Sequence, residues 1–207
     1  MYSITSRLVD VAHTLFERGT NLAAQDKDRS TPLHLALQMG RVDVARMFIE
    51  RGADGTAQGK NGWTALHLAL ETEQVDVARM LIEHSADLTA QKMDGETPLH
   101  LASRMGQVDV ARILIERGAN MTVQKHDGCQ WTPLHVASYC GHVDVARMLI
   151  ERGADPTAQN YDGWTPLHLV SQVNIVRSLI ERGVAWIWHH RTSMGVLSFV
   201  PCCKWGK

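Results

Sequence analysis

No run of about 18 apolar residues, the length a membrane-spanning helix needs, occurs anywhere in this 207-residue sequence. Its opening, MYSITSRLVDVAH, lacks the apolar core of a secretory signal, and its ending matches no lipidation signal. Charge of one sign is also missing: 21 basic residues stand against 22 acidic ones, whereas a dedicated binder of nucleic acid or acidic membrane normally carries a basic face. The four cysteines, Cys129, Cys140, Cys202 and Cys203, fall at irregular places and form no disulfide framework. Reduced thiols fit a cytoplasmic or nuclear setting. There is no GxGxxG and no phosphate loop. These absences leave a soluble cytoplasmic or nuclear protein with no nucleic-acid or membrane partner, no cofactor and no metal.

What the sequence has is repetition. Thr31-Pro-Leu-His34, Thr64-Ala-Leu-His67, Thr97-Pro-Leu-His100, Thr132-Pro-Leu-His135 and Thr165-Pro-Leu-His168 follow one another with threonine spacings of 33, 33, 35 and 33 residues. A hydroxyl, a histidine and a nearby carboxylate in DGWTPLHL would suggest a reactive site if they occurred once. Five copies at a fixed period mark a stacked repeat instead.

One unit shows the physics. In KMDGETPLHLASRMGQVDVARILIERGANMTVQ, residues 92–124, Asp94-Gly95 is a tight-turn dipeptide suited to a hairpin tip. Thr97 fits a helix N-cap and Pro98 the first helical position, where a missing N–H costs nothing. Gly106 is placed to end that short helix. A second helix follows, in which Val110, Ala111, Leu114 and Ile115 recur at helical spacing while Asp109, Arg112, Glu116 and Arg117 mark the solvated side. Arg112 and Glu116, four apart, are spaced to pair. Gly118 closes the unit.

A hairpin tip, two antiparallel helices, a period of about 33 residues and the TPLHxA phrase resemble the ankyrin repeat. The resemblance runs from residue 9 to about residue 183. It implies an all-α ankyrin-repeat solenoid of stacked helix-turn-helix units with β-hairpin fingers. The organisation it suggests is an incomplete N-terminal repeat over 1–25 and repeats over 26–58, 59–91, 92–124 and 125–159. A degenerate fifth repeat spans 160–183 and a non-repeat tail 184–207. It further implies that the TPLH threonine and histidine of each unit, Thr31, His34, Thr64, His67, Thr97, His100, Thr132, His135, Thr165 and His168, hydrogen-bond within and between repeats.

Several positions depart from that pattern. VDVAHTLFERG, from Val9, aligns with a second helix, so no TPLH helix precedes it. Arg29 stands where Gly62, Gly95, Gly128 and Gly163 stand, which suggests another turn type or strain. Glu73 replaces the glycine that ends the first helix, which suggests a longer or looser turn. Ala65 replaces proline, and Cys129 and Gln130 enlarge the fourth finger. The fifth unit lacks three residues between its helices. After Gly183 the register fails, and the tail, with Trp186, Trp188 and Phe199, is expected either to bury those side chains as a cap on the last repeat or to remain disordered and sticky. The adjacent pairs His189-His190 and Cys202-Cys203 do not have zinc-ligand spacing.

The units also differ from one another in an ordered way. The second helices are near copies, VDVARMFIERG, VDVARMLIEHS, VDVARILIERG and VDVARMLIERG, while the first-helix ends read Gln38-Met39, Glu71-Thr72, Arg104-Met105 and Tyr139-Cys140. In the resembled family, partners are held on the concave side, formed by fingertips and the exposed face of each first helix. On that basis Trp63, Met93, Glu96, Arg104, Met105, Trp131, Tyr139, Tyr161 and Trp164 are the candidate partner-binding residues, with tryptophan enriched at binding hot spots. The functional expectation is a noncatalytic, monomeric protein-protein interaction module with a protein partner. The alternative is a regulatory or targeting fragment of a larger multidomain enzyme or effector.

Overall fold

The short helices begin where a hydroxyl meets the first unpaired amides. Thr31, Thr64, Thr97 and Thr132 take extended backbone and accept from the amides of His34, His67, His100 and His135, with proline at the first position of all but the second. In this computed structural model, which describes residues 2–84 and 86–170, the elements are α1 (Tyr2–Glu17), α2 (Pro32–Gln38), α3 (Val42–Glu50), α4 (Ala65–Glu71), α5 (Val75–His84), α6 (Pro98–Arg104), α7 (Val108–Glu116), α8 (Pro133–Cys140) and α9 (Val143–Glu151). The first helices α2, α4, α6 and α8 stack in one layer, and α1, α3, α5, α7 and α9 in the other. Pro166–Leu169 forms a single 3-10 turn in place of the next first helix. The second helix of that unit and the tail with Trp186, Trp188 and Phe199 lie outside the described residues.

The two layers close over the apolar face of each helix. Leu33, Leu66, Leu99 and Leu134, the same position in four units, are each no more than 1% exposed, as are Ala45, Ala78, Ala111 and Ala146 opposite them. Burying each such leucine contributes about 1.5–3 kcal/mol, and the alanines let the layers approach. Each finger is closed by one backbone bond across its base, for example Lys92 N–H to Glu96 at 3.1 Å and Lys125 N–H to Trp131 at 3.0 Å. Among the described residues no strand forms, so the fingers are turns tied by single bonds.

Neighbouring units are joined by their histidines. In four TPLH phrases Nε2–H donates to the carbonyl that precedes the next unit's threonine: His34 to Trp63 at 3.2 Å, His67 to Glu96 at 3.2 Å, His100 to Trp131 at 2.9 Å and His135 to Trp164 at 3.0 Å. A carbonyl only accepts, so the proton sits on Nε2. Nδ1 then accepts from the hydroxyl of the unit's own threonine at 2.7–2.8 Å. A second tie, not anticipated from the sequence, lies before the outer helices. Gln74 and Gln107 donate from Nε2 to Leu37 and Leu70 at 2.8 and 3.0 Å, and His142 does the same to Arg104 at 2.8 Å.

At the irregular positions the turn type survives and strain results. Arg29, Glu73 and Gln130 have φ of 61°, 57° and 54°, the left-handed region that costs a non-glycine residue about 1–2 kcal/mol. The turn after α4 is neither longer nor looser than its counterparts: α4 keeps seven residues, like α2 and α6. The expected Arg112–Glu116 pair does not form among the described residues. Glu116 instead receives Arg152 of the following unit at 2.8 Å, because stacking brings the next outer helix nearer than the next turn. At the N-terminal end α1 has no first helix beside it. Val11, Leu15 and Leu35 are 55%, 53% and 38% exposed, while their counterparts one unit on, Val44, Phe48 and Leu68, are half-buried or buried.

Two predictions follow from this geometry. Burial lowers the pKa of His67, His100 and His135 to about 4, against about 6.5 unfolded. Their contribution is fully present above pH 6.5 and is lost as pH falls towards 4, where the unfolded chain binds protons the folded one refuses. Each histidine contributes a slope of up to about 1.4 kcal/mol per pH unit in that window. Thermal melts across pH 4–8 are expected to be flat above neutrality and to fall by on the order of 10 °C between pH 7 and pH 5; an equally flat acid side would contradict the burial of these rings in the neutral form. Separately, Glu73→Gly relieves the left-handed strain and is expected to raise stability by about 0.5–1 kcal/mol after the added chain entropy, measurable by urea unfolding.

Candidate protein-binding surface

The residues singled out by variation between units come together on the side of fingers and first-helix ends, but they do not all reach solvent. Met93 and Tyr161, at the tips of the third and fifth fingers, are 78% and 73% exposed. Trp63, Met105, Tyr139 and Trp164 are half-buried. Glu96 and Trp131 are buried, at 1% and 5% exposure, so their side chains are internal.

Glu96 is the centre of an ion network. Its carboxylate meets Lys92, Arg104 at 3.3 Å and Lys125 at 3.9 Å, and Arg104 also grips Glu71. Lys125, itself buried, pairs with Asp127 at 2.9 Å, and Lys92 with Asp94 at 3.7 Å. Burial alone would raise the Glu96 carboxyl above its ordinary range, yet the surrounding cations, Lys92 foremost, hold it below. Burial likewise opposes charge on Arg104 and Lys125, and the carboxylates around each, Glu96 foremost with Glu71 at Arg104 and Asp127 at Lys125, together more than restore it. Arg104, expected among the partner-binding side chains, is a strut between the second and third units, and Lys125 extends the network to the fourth. The signal was present as Lys92 and Lys125, 33 residues apart and each two places before an aspartate, but their convergence on one glutamate is tertiary.

Aromatic rings pack beside this network. The Lys92 ammonium lies 4.3 Å over the Trp63 ring, a cation–π contact. Trp131 packs against Tyr139 with ring centroids 4.9 Å apart and planes inclined at 56°. Of the two inserted residues, one joins an apolar cluster around Trp131. Cys129 is fully buried with Trp131, Val136 and Leu169, and Tyr139, Cys140 and Trp164 pack against them. Burial pushes the Cys140 thiol up, away from the thiolate. The TPLH histidines offer no reactive nitrogen, since in His34, His67, His100 and His135 both ring nitrogens are engaged in internal bonds. No group of three or more His, Cys, Asp or Glu side chains suited to a metal ion occurs among the described residues, and none of their helices is long and apolar enough to cross a membrane.

Removing Arg104 leaves a buried carboxylate short of a partner. Arg104→Ala is therefore expected to cost about 1–3 kcal/mol of stability, measured by denaturant unfolding; an unchanged transition would show that the network carries no weight.

Comparison with known proteins agrees with this architecture. An ankyrin repeat domain from Acinetobacter baumannii, solved by crystallography, superposes with a TM-score of 0.78 at 27% sequence identity, covering 86% of this chain and 94% of that one. No curated protein matches the chain. The family model for ankyrin repeats in three copies matches over residues 1–92, 57–125, 86–160 and 123–187. Taken with the stacked helix pairs and the histidine ties between them, this establishes that the chain belongs to the ankyrin repeat family.

Proposed function

We propose that this chain is a noncatalytic protein-binding module, acting as a monomer in the cytoplasm or nucleus, with its partner on the concave face built from the fingers and the first-helix ends. Family membership supports the general role, since ankyrin arrays are protein-protein interaction modules. The observation that favours this face is where apolar side chains remain uncovered. Away from the N-terminal end, the exposed large hydrophobic residues among those described are Met39, Met93 and Tyr161. All three lie on fingertips or at the end of a first helix, and the near-identical outer helices contribute none.

Within that face the residues divide by burial. Met93 and Tyr161 offer direct contact, and Trp63, Met105, Tyr139 and Trp164 present partial surfaces held by neighbours that fix their rotamers. Aromatic side chains fixed in this way lose little entropy on binding and concentrate affinity. Glu96, Arg104 and Trp131 act from beneath, positioning what the partner touches: Arg104 and Glu96 brace the end of the α6 helix, and Trp131 supports the Tyr139 ring.

The test pairs two faces. A partner captured from lysate with the intact chain is titrated calorimetrically against variants, well below their melting temperatures. Tyr139→Ala is expected to cost more than about 1 kcal/mol of binding free energy and Met105→Ala a smaller amount, while Arg112→Ala and Glu116→Ala on the outer helix leave affinity unchanged. The reverse pattern would place the site on the convex side and remove this reading.

A further inference from the structure

Neighbouring fingers are tied by a backbone bond in three places: Met93 N–H to Asn61 at 2.9 Å, His126 N–H to Asp94 at 2.7 Å, and Tyr161 N–H to Cys129 at 3.2 Å. The matching bond between the first two fingers, from the Lys60 amide to the Asp28 carbonyl, is absent among the described residues. Only an exposed side-chain pair, Lys60 with Asp28 at 3.1 Å, spans that gap. Two residues at this joint depart from the other fingers. At Gly62 and Gly95, which hold the turn position of Arg29, an added Cβ would lie 2.8 and 2.4 Å from backbone atoms of Gln91 and His126, whereas at Gly128, in the enlarged finger, it would meet nothing within 4 Å. Arg29 carries such a Cβ, and Asn61, beside the Lys60 amide, is itself left-handed at φ 60°.

The result is a cleft of about 530 Å³ whose walls carry Lys27, Arg29, Lys60 and Lys92 against a single acid, Asp28, with Met93 at its edge. Lys92 is committed to Glu96 and Asp94. Lys27 and Arg29 make no ion pair among the described residues. Arg29 also keeps a left-handed backbone where the other fingers use glycine, and residues held in such conformations cluster at ligand clamps. Asp28 and Lys60 both line the cleft, and their backbone carbonyl and amide, without a mutual bond, are an acceptor and a donor for a third segment of chain.

We propose that this cleft takes an extended acidic segment of a partner protein, its main chain bridging the first and second fingers, its carboxylates meeting Lys27, Arg29 and Lys60, and one apolar side chain resting on Met93. This rests on the protein-binding reading above and adds the chemistry of the ligand. A nucleic-acid strand fits less well: one following the row of fingers would run from these cations onto Asp94, Asp127 and Asp162 at the later tips and would need a continuous basic track.

The experiment is fluorescence anisotropy with the full chain and three labelled probes: a Glu-Glu-Leu repeat octapeptide, its Gln-for-Glu analogue, and an oligothymidylate of similar length. The acidic peptide is expected to bind, to weaken as salt rises from about 50 to about 300 mM, and to outbind both other probes. Arg29→Gly, which supplies the glycine the other fingers use and lets the gap close, is expected to lose about tenfold in affinity with no fall in melting temperature. The pair Lys27→Gln and Lys60→Gln, which leaves the backbone alone, is expected to do the same. Equal binding of the Gln analogue, tighter binding of the oligothymidylate, or full affinity in both variants would overturn the proposal. A captured partner that loses affinity with Tyr139→Ala but not with Arg29→Gly would remove this inference and leave the protein-binding reading in place.

Discussion

A neutral histidine, donating from Nε2 to a carbonyl of the next unit, is the bond on which the array depends. It does three things at once. It gives a buried ring N–H the acceptor without which that group would cost about 1–3 kcal/mol, on a carbonyl that also closes its own finger, it fixes the ring so that Nδ1 can hold the threonine cap, and it sets the height of one finger against the next. His34, His67 and His135 reach forward 29 residues, and His100 reaches 31. The two extra positions are absorbed because Cys129 and Gln130 bulge before the acceptor, with Cys129 turned inward and Gln130 in the left-handed region. The insertion therefore changes the finger without changing the stack.

Much of this was legible in the sequence, and the reason is locality. Threonine caps, proline at the first turn, glycine stops and the apolar stripe of the outer helix are decided by residues within one turn of each other, so spacing alone reveals them. What escaped reading is what depends on two units meeting. Arg104 looks like a surface residue because its partners, Glu71 and Glu96, are 33 and 8 positions away. Arg112 and Glu116 look like a pair because the helix offers no nearer choice, until stacking brings Arg152 to Glu116. Arg29 was readable as an anomaly of its own turn, but the missing backbone bond between its finger and the next was not. Gln74, Gln107 and His142 share a position and a role, but glutamine and histidine have no common local signature.

The same division separates scaffold from surface. Every TPLH histidine whose two ring contacts are described spends both nitrogens on the fold, which removes the most obvious chemistry from the chain. The outer helices carry exposed ion pairs such as Arg79 with Asp109 at 3.5 Å, and pairs of that kind contribute little. Distinctive features gather at the fingers and inner helix ends: a buried charge network, a tilted aromatic pair, exposed methionine and tyrosine, and one gap. That asymmetry is what a reusable frame with a variable face requires.

The histidine tie also has a direction. Each unit carries a donor that points forward and a carbonyl that is reached from behind, so the chain of bonds reads one way only. A whole unit inserted between two others brings both halves of the joint and leaves no group stranded, whereas a cut in the middle of a unit strands one on each side. For this tie, growth and loss of the array by complete units are thereby neutral steps. An ancestor of this chain could lengthen by copying a segment of about 33 residues without leaving a histidine unpaired.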